Sequence, residues 1–212
     1  MRHLPEAWLR AAGAVGARGD VAQAGAELLS RYAEMHRYYH DLAHLDDVLR
    51  HVEELAEHAR DVGVVRLAAW FHDAVYDPAA PDNEERSARL AESALAQLRV
   101  EDDAVVTEIA RLVRSTADHA PEPGDANAEV LCDADLAILA AGPDRYQRYV
   151  EAVRAEFGHL DDRAFARGRA AVLRSLLARD PMFSTPTGHD RWEAAARANV
   201  TSELHRLGRA DD

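Results

Sequence analysis

The sequence contains no lysine: all 25 of its basic residues are arginine, set against 38 acidic ones. With the abundant alanine this reads as genomic codon bias, and no function is drawn from it. The formal net charge of −13 argues against a general nucleic-acid binder or a binder of anionic membranes, since either needs an excess of basic charge. A phosphate ligand would have to be held locally. No apolar run approaches the roughly 18 residues of a membrane span. The N-terminus lacks the basic-then-apolar pattern of a signal peptide, so a cytoplasmic protein without membrane association is expected. The single cysteine, Cys132, cannot form an internal disulfide, which fits a reducing compartment, and it reads as a small buried thiol. Sustained β-branched alternation is absent, as are solenoid-length repeats, low-complexity tracts and linkers.

What is present is apolar spacing of helical period almost throughout, which predicts an all-α single domain over 1–212 with nine or ten helices. The expected helices cover 5–16, 21–38, 42–60, 63–75, 83–99, 102–117, 133–141, 144–157, 162–179 and 190–207. Asp82, Asp102 and Asp190 stand where N-caps are expected. Proline, glycine and small polar residues mark irregular stretches at 77–81, 120–128 and 183–189.

The most informative residues are His72-Asp73, embedded between Trp70-Phe71 and Val75-Tyr76. Ionisable groups in so apolar a segment need compensation. Either they are N and O donors for a borderline divalent metal, or they are a satisfied core histidine and a helix-end aspartate. His36, His40 and His44 follow at i, i+4, i+8 and would share one face of a continuous helix, as a ligand set or as a solvated stripe that His51 and His58 extend. Asp133 and Asp135 interrupt the run Val-Leu-Cys-Asp-Ala-Asp-Leu-Ala-Ile-Leu. Asp133 could cap the following helix and leave Asp135 facing the core, and a different register would exchange their roles. His119 precedes a Pro-rich loop and could reach a shared site or lie on the surface.

The order His … His-Asp … Asp resembles the HD-domain superfamily of metal-dependent phosphohydrolases. Tyr39-His40-Asp41-Leu42-Ala43-His44, followed by Asp47-Val48, is similar to the Tyr-His-Asn-x-x-His-Ala-x-Asp-Val signature of the cyclic-nucleotide phosphodiesterases in that superfamily. Ala134-Asp135-Leu136 is similar to its distal Ala-Asp-x-Leu element. With Asn83 to Ala88, Val153 to Phe157, Gly168-Arg169 and Ala196 to Asn199, the chain resembles bacterial predicted HD phosphohydrolases of generally unassigned substrate.

The resemblance implies a helical bundle of the HD type, with a motif core over about 32–140 and C-terminal helices over about 144–207 packed on it. It implies a hydrolase of phosphoester bonds in a small phosphorylated metabolite or nucleotide. His44, His72, Asp73 and Asp135 would ligate one divalent metal (Mn, Fe, Co, Ni or Zn, with Mg as a further option), Asp73 belonging also to the catalytic set. A metal-activated water would attack phosphorus with His40 as general acid. His119 and Glu84 would serve a second metal if there is one. Asp41 stands where the cyclic-nucleotide enzymes have Asn, and no glutamine purine clamp is seen, so that specificity does not carry over. Arg37, one helical turn before His40, could clamp a phosphate or be an ordinary exposed arginine. Glu84 and Glu85 could position water or a ligand imidazole, or simply favour the positive end of a helix dipole. Tyr76, Arg154, Arg169 and Asn199 are substrate-pocket candidates by resemblance alone. The alternatives are a di-iron HD oxygenase and a non-catalytic metal- or nucleotide-binding module. The expected partner is a small phosphorylated molecule. A homodimer is open, with Trp8, Tyr146 and Trp192 placed at an interface or in the core.

Overall fold

The computed structural model describes residues 3–209. Among them are ten α-helices and no strand: α1 Leu4–Ala14, α2 Val21–Tyr32, α3 Leu42–Glu54, α4 Val62–Phe71, α5 Asn83–Gln97, α6 Asp103–Ser115, α7 Ala126–Leu136, α8 Pro143–Glu156, α9 Asp162–Leu177 and α10 Pro186–Arg209. Short 3-10 turns follow α3 (Ala56–His58) and α7 (Ala137–Ala140). The all-α expectation holds, and no helix among the described residues is long and apolar enough to cross a membrane.

Aspartate starts many of these helices. Asp20, Asp41, Asp61, Asp102, Asp125 and Asp161 each accept one or two main-chain N–H groups of the first turn, satisfying donors that have no partner within the helix. Two expected caps differ. Asp82 makes no side-chain cap bond, because neighbouring Asn83 organises the turn, its side chain meeting Asp77 N–H and C=O. Asp190 lies inside α10, which starts earlier at Pro186; proline suits a first helical turn, having no N–H to leave unpaired.

At the centre is α4, which contacts α1, α3, α5, α6 and α7. Val64, Val65 and Leu67 to Phe71 are all buried, so the helix is apolar around its circumference as a central helix must be. Trp8 of α1 packs edge-on against Trp70 and Phe71 at ring-centroid distances of 5.4 and 5.9 Å. Its indole N–H donates to Val21 C=O. One hydrophobic core runs from Leu4 to Val200. Trp8, Tyr146 and Trp192 all belong to it, so these rings form no exposed interface. Cys132 is buried as expected.

Two boundaries decide the site. The helix expected over 21–38 stops at Tyr32, and residues 33–41 form turns before Asp41 caps α3. The helix expected over 133–141 starts at Ala126, capped by Asp125, which places Asp133 and Asp135 on its last turns.

Candidate metal centre

His72 and Asp73 follow directly on the last residue of α4. The turn is fixed by groups from three other elements. The Tyr32 hydroxyl accepts Asp73 N–H, Ser87 bridges the N–H and C=O of Val75, and the Arg37 guanidinium donates to the carbonyls of His40, Asp73 and Ala74. These donors take carbonyls that a helix end would otherwise leave unpaired. This His-Asp pair is thus carried at the end of an almost wholly apolar helix.

His44 comes from the first turn of α3 and Asp135 from the last turn of α7. His44 Nε2 stands 3.0 Å from His72 Nε2, 3.3 Å from Asp73 Oδ2 and 3.3 Å from Asp135 Oδ1. His72 Nε2 is 3.1 Å from Asp73 Oδ2 and 3.7 Å from Asp135 Oδ1. Donors about 2.0–2.2 Å from one ion at tetrahedral or octahedral angles lie about 2.8–3.6 Å apart, and four of these five separations have that size, the 3.7 Å from His72 Nε2 to Asp135 Oδ1 being slightly longer. His44, His72 and Asp73 have donor atoms mutually within 4.8 Å and could hold a metal ion. His72 Nδ1 donates to Ala69 C=O at 2.7 Å, which leaves Nε2 as the lone-pair nitrogen and sets the ring's orientation.

The electrostatics of this cluster are those of a balanced ion set. Burial works to lower the His44 imidazole, but hydrogen bonds to Asp135 and Asp73 overturn it, to about 10. His72 is likewise lowered by burial and raised more by the charges of Asp73 and Asp135. Burial raises the two carboxyls, yet the neighbouring imidazoles hold both below their ordinary range: His72 and His40 act on Asp73, and His72, His119 and His44 on Asp135. Buried charge of this density persists only when each member has an opposite partner.

The cluster opens into a cleft of about 690 Å³ lined by Asp73, Asp135, His40, His119, Tyr76 and Glu84 on the polar side. His40 is organised by a residue that sequence reasoning missed in this role. The buried Glu156 carboxylate, on the last turn of α8, accepts the main-chain N–H groups of Tyr38, Tyr39 and His40 on Oε1 at 2.8–2.9 Å. Its Oε2 accepts His40 Nδ1 at 2.7 Å and the Tyr76 hydroxyl at 2.9 Å. Burial pushes this carboxyl up, but the His40 ring and the surrounding N–H donors bring it down to about 2, so it remains a carboxylate. The signal was its register: Tyr146, Tyr149, Val153 and Glu156 form the buried stripe of α8, and a glutamate on such a stripe needs partners.

The remaining sequence candidates divide. His119 lines the cleft, its Nε2 2.7 Å from Asp135 Oδ2, with left-handed backbone at φ 52°. Glu84 also lines it, but no hydrogen bond or ion pair joins Glu84 to His119 among the described residues. Tyr76 lines the cleft with its hydroxyl directed to Glu156, and Arg169 lines it while paired to Glu203 at 2.8 Å. Others do not reach it. Arg37 has a fully buried side chain held by Glu34 and three carbonyls, so it fixes the turns around the site and is not free to clamp phosphate. Glu85 points to Arg114 and Arg89, which bring its carboxyl down to about 2. Arg154 holds Asp162 and the carbonyls of Phe157 and Leu160. Asn199 ties α10 to the 3-10 turn after α7 through Leu139 and Ala141 C=O.

The three-histidine stripe does not form. Because α2 ends at Tyr32, His36 lies outside the cluster, its Nε2 on Tyr76 C=O, whereas His40 and His44 reach the site from a turn and from α3. Nor does Asp133 cap a helix. It is buried, and accepts Ser184 N–H, Thr185 N–H and the Thr185 hydroxyl, anchoring the chain where α10 begins.

No family model matches this chain, and no curated protein or solved structure matches it.

Proposed function

We propose that the protein is a metal-dependent phosphohydrolase acting on a small phosphoester, as its likeness to the HD-domain superfamily implies. The observation that carries this reading is the juxtaposition, at one cleft, of a two-histidine, two-carboxylate donor set, whose carboxylates line it, with a histidine that a buried carboxylate orients. His44, His72, Asp73 and Asp135 would hold the cation. A divalent ion there supplies Lewis-acid activation of water and neutralises charge on a phosphoryl oxygen.

The chain's own residues supply the rest. Glu156 keeps the proton of His40 on Nδ1 and fixes the ring, so that a protonated Nε2 can donate to the leaving oxygen; general-acid assistance of this kind is worth about 10²–10⁴-fold. Tyr76 donates to the same carboxylate oxygen and limits its swing. The left-handed turn at His119 directs that ring at Asp135, which orients the carboxylate. The Pro-containing turn and the α5 start bring Glu84 to the lining of the same cleft.

The deciding experiment is metal analysis of purified protein with phosphate-release assays against a panel of phosphoesters, using Mn, Fe, Co, Ni, Zn and Mg separately. The expected result is at least one tightly held divalent metal per chain and metal-dependent phosphate release that His72→Ala and Asp73→Ala abolish. Unchanged metal content and activity in both variants would overturn the reading. Two irons per chain with oxygen consumption would transfer it to the oxygenase alternative.

A further inference from the structure

We infer that the cleft takes a small ester bearing one phosphoryl group on an apolar, uncharged body, an aryl or alkyl group in place of a sugar or a nucleotide. This rests on the phosphoester reading above and names its substrate class.

The walls away from the metal side come from the 3-10 turn after α7, from α8 and from α9. They present Ile138, Val153, Phe157, Phe165, Val172 and Leu176. Val172 is 54 % exposed, an aliphatic side chain left in water at the mouth of a cleft. Each methylene of a ligand that covers such a wall gains about threefold to fourfold in affinity.

Several polar groups that a sugar or base could use are already engaged, while Ser175 and the Tyr39 hydroxyl line the cleft without a hydrogen-bond partner among the described residues. The Thr116 hydroxyl donates to Val113 C=O, the Tyr76 hydroxyl to Glu156, and the Tyr149 hydroxyl accepts from Arg169. A buried hydroxyl left without a partner costs roughly fivefold to a hundredfold in binding. A body carrying several hydroxyls would meet that cost repeatedly.

Charge limits the phosphate to one. Of the two arginines lining the cleft, Arg169 is neutralised by Glu203. Arg179 donates to the main-chain carbonyls of Asp118 and His119, and no carboxylate pairs with it among the described residues. It is therefore a cation whose charge is uncompensated, fixed beside the turn that carries His119, with donors to spare. One such cation and the metal side suit a single phosphoryl group, and further phosphates would have to pass the Glu84 carboxylate.

In the reaction, the oxygen of water bonds to phosphorus as the P–O ester bond breaks, and the leaving oxygen takes a proton from His40. The water's protons pass to the phosphate product and one is returned to His40 through solvent, and the products are inorganic phosphate and an apolar alcohol or phenol.

The test combines binding and turnover on protein loaded with Mn²⁺. Calorimetry compares n-octylphosphonate with methylphosphonate, which cannot be hydrolysed. Phosphate release compares 1-naphthyl phosphate with glucose 6-phosphate and AMP. We expect octylphosphonate to bind at least tenfold tighter than methylphosphonate, naphthyl phosphate to exceed both polar esters at least tenfold in kcat/KM, and Val172→Asn to shrink both ratios at least threefold. Equal affinity for the two phosphonates, or glucose 6-phosphate or AMP hydrolysed as well as the naphthyl ester, would sink the inference. If no ester releases phosphate while octylphosphonate keeps its tenfold preference, the hydrolase reading fails and the ligand class stands.

Discussion

His44 Nε2 and His72 Nε2 face each other across 3.0 Å. Two imidazole nitrogens at that distance cannot both present lone pairs, nor both protons, so either one shared proton or a cation lies between or beside them. With Asp73 and Asp135 alone as partners, His44 is held at about 10, and its ring keeps a proton at neutral pH. A divalent ion must displace protons from such ligands, so affinity should rise with pH and binding should release protons. Calorimetric titration with Zn²⁺ at pH 7 in two buffers of different ionisation enthalpy should report roughly one to two protons released per ion. Because the cluster forms only in the folded chain, an ion at 100 times its Kd adds about 2.7 kcal/mol. That corresponds to a rise of about 5–10 °C in Tm for a chain of this size, and a chelator should reverse it. A metal-independent Tm with no proton release would rule out the site.

Glu156 is the second relationship to test. Glutamine at this position can still accept the three N–H groups through its carbonyl oxygen, but it presents an NH₂ to His40 and Tyr76 where an acceptor now stands. The expected result of Glu156→Gln is a kcat lower by about 10–100-fold with KM little changed. The loss should be large for phenyl phosphate and small for 4-nitrophenyl phosphate, whose leaving group needs little proton donation. A uniform loss for both esters would reduce Glu156 to a structural strut.

Helix content and the His72-Asp73 pair were legible in the sequence because both rest on local features: a 3.6-residue apolar period and an ionisable pair in an apolar run. The break after Tyr32 was not. Residues 33–40 contain neither glycine nor proline, and what unwinds them is distant in sequence. Glu156 captures three successive N–H groups that a helix would have bonded to its own carbonyls, and Arg37 takes carbonyls on the other side. Tertiary partners overrode propensity. The start of α7 was missed for the opposite reason: Asp125 is an ordinary cap concealed in a stretch whose proline and glycine read as loop through Ala128. Arg37 looked like a surface arginine near a histidine, because nothing local announces that three carbonyls from two separate turns converge on it.

His51 gives a pH prediction independent of the metal centre. The ring packs edge-on against Trp192 at 5.1 Å, and Arg50 donates to its Nε2. Burial, with the Arg50 charge, pushes it down to about 4. Its folded value therefore lies below its ordinary one near 6.5. Between these values the unfolded chain binds a proton that the folded chain refuses, so stability is full above about pH 6.5 and falls toward pH 4. Denaturant unfolding at pH 7.5 and pH 4.5 should show the wild type losing about 1–3 kcal/mol more than His51→Leu. Parallel pH dependence in the two proteins would exclude the effect.

Asp133 and Asp135 lie on one helix two residues apart, and their roles should separate cleanly. Asp133 receives three hydrogen bonds from Ser184 and Thr185. Removing it leaves those donors buried without an acceptor, at about 1–3 kcal/mol, so Asp133→Ala should lower Tm by about 3–10 °C while metal stoichiometry persists. Asp135→Asn should do the reverse, with near-normal folding and weakened metal retention, since His44 and His119 both lose a charged partner. Gly188→Ala offers a control on the anchor alone: its Cβ would lie 2.6 Å from Asp133 Oδ2 and 2.8 Å from the Thr185 hydroxyl. Neither atom is free to retreat, because both are fixed by hydrogen bonds in a buried turn, so a cost of about 1–3 kcal/mol is expected, again with metal content unchanged. Should Asp133→Ala lose the metal and Asp135→Asn keep it, the distal ligand would be Asp133, and the cluster around His44 and His72 would have to be rebuilt in a different helix register.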